Sequence, residues 1–386
     1  MKLFWILAFL SVQFRVHAQD SLSAENHPNQ RDLNDVFSSR LRPNHKPVQV
    51  TWVPAVGYSL QTGFAGVIGT NVAFRALDGD DSKLSSVTTS VTYSQYNQTI
   101  LPLMANIWSK NGKWNYSSEW RFMQYPSETW GLAGRKDPTD GYTINFSYLK
   151  LHQLILRSIT KNLFFGTGVF YDRIWNIREA DAPADGSTSF QRYGLNKDEI
   201  AMAIPVRLLF DSRRNQINPS QGWYISLTSR NNLKSLGSKQ NWGSVVLDIR
   251  KYIRVSESGN TLAFWLYSWH SSARTPYLLL PSTGWDDNFN IGRGYIQGRF
   301  RSNIMEYFEM EYRFNLTQNG FLGGVAFANV QAFKRRLTTG PYVMEPAVGA
   351  GLRVKLNKHS GTNLCIDYGI GQSGSRGFFI NLGEVF

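Results

Sequence analysis

Residues 304–314 read Ile-Met-Glu-Tyr-Phe-Glu-Met-Glu-Tyr-Arg-Phe. In an extended chain Phe308, Met310, Tyr312 and Phe314 fall on one side, and Tyr307, Glu309, Glu311 and Arg313 on the other, because successive strand side chains point to opposite faces. The first side is apolar, while the second mixes acids with a base. A soluble sandwich also alternates. Paired opposite charges on the polar face instead fit a transmembrane barrel, whose strands set a lipid face against a polar lumen.

The same texture recurs. In Trp242–Val255, Val245, Leu247, Ile249 and Ile253 oppose Ser244, Asp248 and Arg250. In Ala201–Asp211, Met202, Ile204, Val206, Leu208 and Phe210 alternate with Ala203, Arg207 and Asp211. In Pro346–Leu356, Val348, Ala350, Leu352, Val354 and Leu356 oppose Gly349, Gly351, Arg353 and Lys355. Many of these runs are about 10–15 residues long, enough for a tilted bilayer crossing and well beyond the roughly 5–6 of a soluble strand.

Sixteen segments are expected: 49–59, 63–76, 84–96, 97–109, 113–124, 141–157, 161–175, 197–212, 221–231, 240–255, 260–272, 303–316, 320–334, 343–356, 361–371 and 375–386. The fold class is therefore all-β, a transmembrane antiparallel barrel closed because a bilayer cannot satisfy an open strand edge. An even count puts both ends at the periplasm. Loops after odd-numbered strands then face outside, including the longest connection, 273–302, and the polar stretch near 176–196. In the last segment Phe378, Ile380 and Leu382 face one way and Phe379, Asn381 and Gly383 the other, and the sequence stops at Phe386. An alternating last strand ending in an aromatic is the signal by which bacterial barrels are recognised for assembly.

Lys2, the apolar run Leu3–Val12 and Val16-His17-Ala18 have the layout of a secretory signal peptide, with cleavage expected after Ala18. Residues 19–48 are polar and read as a flexible periplasmic stub, leaving 49–386 for the barrel. Aromatics make up 14% of residues, charged groups only 18%, and the formal net charge is +13. The basic residues are scattered without a run, which argues against nucleic acid and for a cationic lumen with rims facing anionic outer-membrane lipids. The single Cys365 excludes a disulfide framework. The six His residues show no Ser/His/Asp arrangement on a common strand face and no metal-ligand spacing, so no enzyme, metal or cofactor is expected.

Several motifs in order resemble the BamA/TamA superfamily, the bacterial surface antigen type of sixteen-stranded outer-membrane barrel. Asp211-Ser212-Arg213, Pro219 and Gly222-Trp223 are similar to its D-x-R…P-x-x-G periplasmic turn. Gly292-Arg293-Gly294-Tyr295 resembles the R-G-F/Y tip of its inward-folded extracellular loop, between strands eleven and twelve. An Arg inside a barrel needs an acidic partner. The resemblance implies Glu311, with Glu309 as competitor. Pro54, Gly57-Tyr58, Gly63 and Gly349-x-Gly351-Leu352-Arg353 agree as well.

There are two departures. Strand thirteen of the family reads F-D-x-G, against Phe327-Ala328-Asn329-Val330 here. That implies a weaker loop lock, or one resting on strand twelve, with Asn329 of the opposite parity. The stub is also too short for the ~75-residue POTRA domains of family members, so a barrel-only relative is expected.

The resemblance implies outer-membrane protein assembly or translocation, alone or as a subunit of an assembly complex. Its partners would be lipids, unfolded barrel clients and other envelope assembly proteins. The client seam would lie between 49–59 and 375–386, where Gly377 and Gly383 weaken the last strand. The alternatives are a non-catalytic interaction subunit or a plugged, low-conductance pore.

Overall fold

The computed structural model describes residues 48–59, 62–75, 84–109, 111–132, 141–180, 188–193, 198–213, 215–216, 218–256, 259–286, 289–334, 341–357 and 362–386, with Arg31. The segments expected to form a signal peptide, residues 1–18, and nearly all of an expected stub, residues 19–48, lie outside these. Arg31 donates its backbone N–H to Asn319 O at 3.0 Å.

The first strands are β1 (Val48–Ser59), β2 (Gly63–Arg75), β3 (Leu84–Ser94), β4 (Thr99–Trp108) and β5 (Trp114–Gln124). The short β6 (Ser127–Thr129) precedes a long pair, β7 (Tyr142–Thr160) and β8 (Leu163–Ala180). A short helix, α1 (Ser189–Tyr193), is followed by β9 (Glu199–Asp211), β10 (Gly222–Asn232), β11 (Trp242–Arg254) and β12 (Thr261–Ser271). The remaining strands are β13 (Ile304–Asn315), β14 (Leu322–Lys334), β15 (Val343–Asn357), β16 (Thr362–Gly371) and β17 (Arg376–Leu382).

Every recorded strand pairing is antiparallel, and each strand pairs with its sequence neighbours except at β6. β5 and β6 both pair with β7, so they form one stave broken at Tyr125–Pro126, where proline has no N–H for the ladder. Counted as staves the sheet has sixteen. Thr88 of β3 and Trp269 of β12 line one cavity, so the sheet has curled round a lumen. Among the described residues no ladder joins β1 to β17.

The alternation settles which face is which. On β13, Tyr307, Glu309, Glu311 and Arg313 are buried, whereas Phe308, Met310 and Tyr312 are exposed. Ile204, Val206 and Leu208 of β9 and Val348 and Leu352 of β15 are exposed in the same way. A wall of outward-facing aliphatic and aromatic side chains is stable only against lipid.

Two boundary expectations change. β8 continues to Ala180 instead of giving way to a loop at 176, and β7 is 19 residues long. At roughly 3.3 Å per residue such a strand exceeds 60 Å, about twice the ~30 Å hydrocarbon core. Its excess packs under the long loop: Tyr142, Ile144, Phe146 and Ile177 cluster with Phe190, Tyr277 and Leu280. Leu356 is buried instead of facing outward with Leu352, because the register shifts between Lys355 and Asn357. One extra residue in a strand reverses the facing of every residue after it.

Candidate functional site: the lumenal loop lock

The connection between β12 and β13 folds back into the lumen. Thr283, Ile291, Gly292, Arg293, Gly294 and Tyr295 are all buried. Gly292 and Gly294 hold φ of +85° and +107°, values that L side chains rarely adopt, so the turn presenting Arg293 depends on glycine.

Arg293 is 1% exposed. It donates to both Glu309 and Glu311 of β13, not to one of them, and its Nη1 reaches Asp367 Oδ2 of β16 at 2.5 Å. Its guanidinium also lies 3.7 Å above the centre of the Phe327 ring on β14. Burial works against the charge, but the three carboxylates outweigh it and push the Arg293 pKa well above its ordinary value. The group stays cationic.

The lock extends beyond the loop tip. Arg313 of β13 bonds Glu311, and Arg353 of β15 bonds Asp367 and Glu384. Tyr307 donates to Glu309. Asn329 faces inward, and its Nδ2 donates to Arg293 O at 2.9 Å, so β14 contributes an amide to the lock, one residue beyond the position of the resembled family's acid. Ala328 faces away.

Space for the tip comes from two inward glycines on β16. A Cβ on Gly369 would stand 2.7 Å from Gly294 N, and one on Gly371 2.5 Å from Tyr295 Cζ. Tyr295 closes the contact by donating to Pro346 O at 2.6 Å and accepting from Gln372 N at 2.9 Å. Burial pushes its phenol up to about 12.

The turn motif lies at the opposite end of the barrel. Asp211 accepts from Arg213 through backbone N (3.1 Å), Nε (2.9 Å) and Nη2 (2.8 Å), and Arg213 stacks on Tyr224. Pro219 is buried, and Gly222 meets Ser212 O so closely that a Cβ would stand 2.8 Å away. The motif closes on itself and does not touch the loop tip.

The last segment departs from its expected course. Alternation ends at Leu382, not Phe386: Gly383 (φ +80°) turns the chain inward. Phe378 stays exposed on the outer face and Ile380 is half-buried. Phe386, which unbroken alternation over 375–386 would put on that same face, is buried between Trp265 and Tyr252, with ring centres 5.1 and 6.2 Å away. Glu384 meets Arg353 at 2.8 Å and Arg313 at 3.6 Å, and Asn290 of the loop donates to Val385 O at 2.8 Å. The tail and the loop therefore share one network. Of the seam glycines, Gly377 remains in the ladder opposite Gly369, whereas Gly383 leaves it.

Sequence reading missed Asp367 and Glu384, and it put Arg353 on the polar face of its strand without giving it a partner. Asp367 was legible as an acid of inward parity between Ile366 and Tyr368, but nothing in the sequence says which loop residue it meets. It also passed over His152 and Asp172, which adjoining strands bring to 3.0 Å. Among the described residues no group of three or more His, Cys, Asp or Glu side chains is arranged for a metal ion.

No protein-family model matches the chain, and no curated protein matches it. Solved structures do. BamA from Haemophilus ducreyi lacking POTRA domains 1–3 superposes with a TM-score of 0.57 at 13% identity, over 88% of this chain and 69% of that one. CdiB from Acinetobacter baumannii gives 0.53 at 12% identity and CdiB from Escherichia coli 0.56 at 9%, each over 88% of this chain. The chain spans 60% and 63% of those two CdiB chains, less than two thirds of their length. At these identities the likeness concerns the fold: the chain is built as a sixteen-stave barrel of the BamA and CdiB type.

Proposed function

We propose that this protein is an integral outer-membrane barrel acting in the assembly or translocation of outer-membrane proteins, alone or as a subunit of an envelope assembly complex. The observation that carries the reading is Arg293, buried at the tip of an inserted loop and held by carboxylates from β13 and β16. Such a loop obstructs a solute path. It also braces the wall beside β17, whose outer edge shares no ladder with β1 among the described residues. A strand edge that opens inside a bilayer is a template for another strand, and an incoming barrel chain is such a strand.

On this reading the protein works on unfolded barrel clients in contact with outer-membrane lipids, after export to the periplasm, and without covalent chemistry of its own. The test is reconstitution in liposomes with an unfolded barrel client. Faster client folding than in empty liposomes is expected. No acceleration, with or without native envelope partners, would remove the proposal.

A second reading, a plugged low-conductance barrel serving as an interaction subunit, draws on the tail. Loop and tail both occupy the lumen and meet at Asn290 and Val385. Planar-bilayer recordings should then show small currents, while native co-purification should recover a complex and not a lone monomer.

A further inference from the structure

Away from the lock the lumen holds a cavity of about 440 Å³, roofed by Leu278, Leu279, Leu280 and Trp285 of the inserted loop. That volume falls within the range of small-molecule sites, roughly 300–1,000 Å³. Glu119 and Asp248 line it and Asp172 lies behind its wall, but all three acids are engaged. Asp172 accepts from Tyr148 Oη (2.5 Å), His152 Nε2 (3.0 Å) and Arg230 Nη2 (2.7 Å). Asp248 accepts both arms of Arg250 and the Trp265 indole N–H at 2.9 Å. Glu119 takes Arg121 at 2.9 Å and Lys150 at 2.6 Å.

Arg207 differs. It lines the cavity from β9, and its Nε donates to Thr228 Oγ1 at 2.8 Å. Neither of its Nη groups has a protein acceptor among the described residues, and no carboxylate pairs with it. Beside it on β10 the buried hydroxyls of Ser226 and Thr228 share the wall. Donors are in surplus elsewhere in this wall as well: Arg230 Nε and the indole N–H groups of Trp242 and Trp269 are buried without an acceptor. A guanidinium with two open arms matches an oxyanion in a bidentate fork, and unmatched buried donors favour a ligand rich in oxygen acceptors.

We infer that this cavity binds a small hydroxyl-rich solute bearing a phosphate or carboxylate, of the size of an acidic sugar, with its anion held by Arg207. The positive wall of Arg207, Arg230 and Lys150 draws the anion in, and the loop above shields the pairing from bulk solvent. The inference concerns a surface that the loop lock and tail leave unused, and it stands whether or not the barrel assembles clients.

The test is isothermal titration calorimetry on the full-length protein in detergent, with glucose 6-phosphate, glucuronate and glucose as probes. Saturable binding of one or both acidic sugars, without binding of glucose, is expected, and the one that binds identifies the anion. Arg207→Gln should weaken that binding about tenfold or more, the loss of one strong ionic contact, with Arg207→Lys intermediate. Circular dichroism of each variant confirms that the barrel has formed. Equal binding of glucose, no binding of either acid, or full affinity in a folded Arg207→Gln variant would overturn the inference.

Discussion

Arg293 Nη1 donates to Asp367 Oδ2 at 2.5 Å, joining the loop between β12 and β13 to a wall strand 74 residues further along. The two residues are not equivalent partners. Asp367 keeps Arg353 if Arg293 is lost, and Glu311 keeps Arg313, but Glu309 loses its only recorded cation. Arg293→Ala should therefore destabilise the barrel by about 3–5 kcal/mol, the range for removing one partner of a buried ion pair. Adding Glu309→Gln should recover a large part of that loss. Asp367→Asn, which leaves Arg293 two carboxylates, should cost less than Arg293→Ala. Urea unfolding of the three variants in detergent, followed by circular dichroism, gives the order.

The glycine pair on β16 makes a steric prediction. Gly371→Val would drive a side chain into the Tyr295 ring, and the loop tip would have to leave its seat. Arg293, Arg299 and Arg301, now buried, should become trypsin-sensitive, and channel conductance should rise. Gly66→Ala is the control, since a Cβ there meets nothing within 4 Å and the residue is exposed on the outer face. It should leave both readouts unchanged.

Much of this was legible in the sequence because a barrel writes its walls in period two. Glu309 and Glu311 reveal their facing through Phe308 and Met310, and the Gly292–Tyr295 tip announces a tight turn. What could not be read are contacts set by closure. Asp367 and Arg293 meet only because the sheet curls, and no local spacing encodes that. Leu356 was misplaced, and unbroken alternation would misplace Phe386, for a related reason: parity carries forward only until a bulge or a positive-φ glycine resets it, and the sequence shows the residue types but not the reset. Asn329 looked wrongly oriented because its facing was judged against a family pattern and not against Phe327 beside it, with which it shares the lumen.

Glu384 gives the tail a pH dependence. Burial alone would raise its carboxyl, but the guanidinium groups of Arg353 and Arg313 outweigh that and lower it from 4.5 to about 2. A carboxyl depressed in the folded state stabilises above its unfolded pKa, and the contribution is lost as pH falls from about 4.5 towards 2. The shift corresponds to about 3 kcal/mol in order of magnitude. The protection factor at Gly383, whose N–H donates to Asn363 O at 2.8 Å, taken against the intrinsic exchange rate at each pH, should therefore be high at pH 6 and markedly lower near pH 3. In Glu384→Gln the protection factor should already be lower at pH 6 and change less between the two pH values.

Phe378 and Phe386 offer a contrast within one short segment. Unbroken alternation would put both on one face, yet Phe378 is 52% exposed and Phe386 is 3% exposed. Phe378 rests on Tyr368, with ring centres 4.9 Å apart, and alanine there surrenders contact mainly with lipid. Phe386→Ala would instead leave a cavity between Trp265 and Tyr252 and remove the ring beneath Arg313, 5.2 Å away. Large-to-small changes at such sites cost about 3–5 kcal/mol. Phe386→Ala should thus lower the urea midpoint clearly more than Phe378→Ala. It should also shift fluorescence from Trp265 to the red as water reaches the vacated space. If Phe378→Ala were the more damaging of the two, the outer face of β17 would be the stabilising one, and Phe386 would not be an anchor within the lumen.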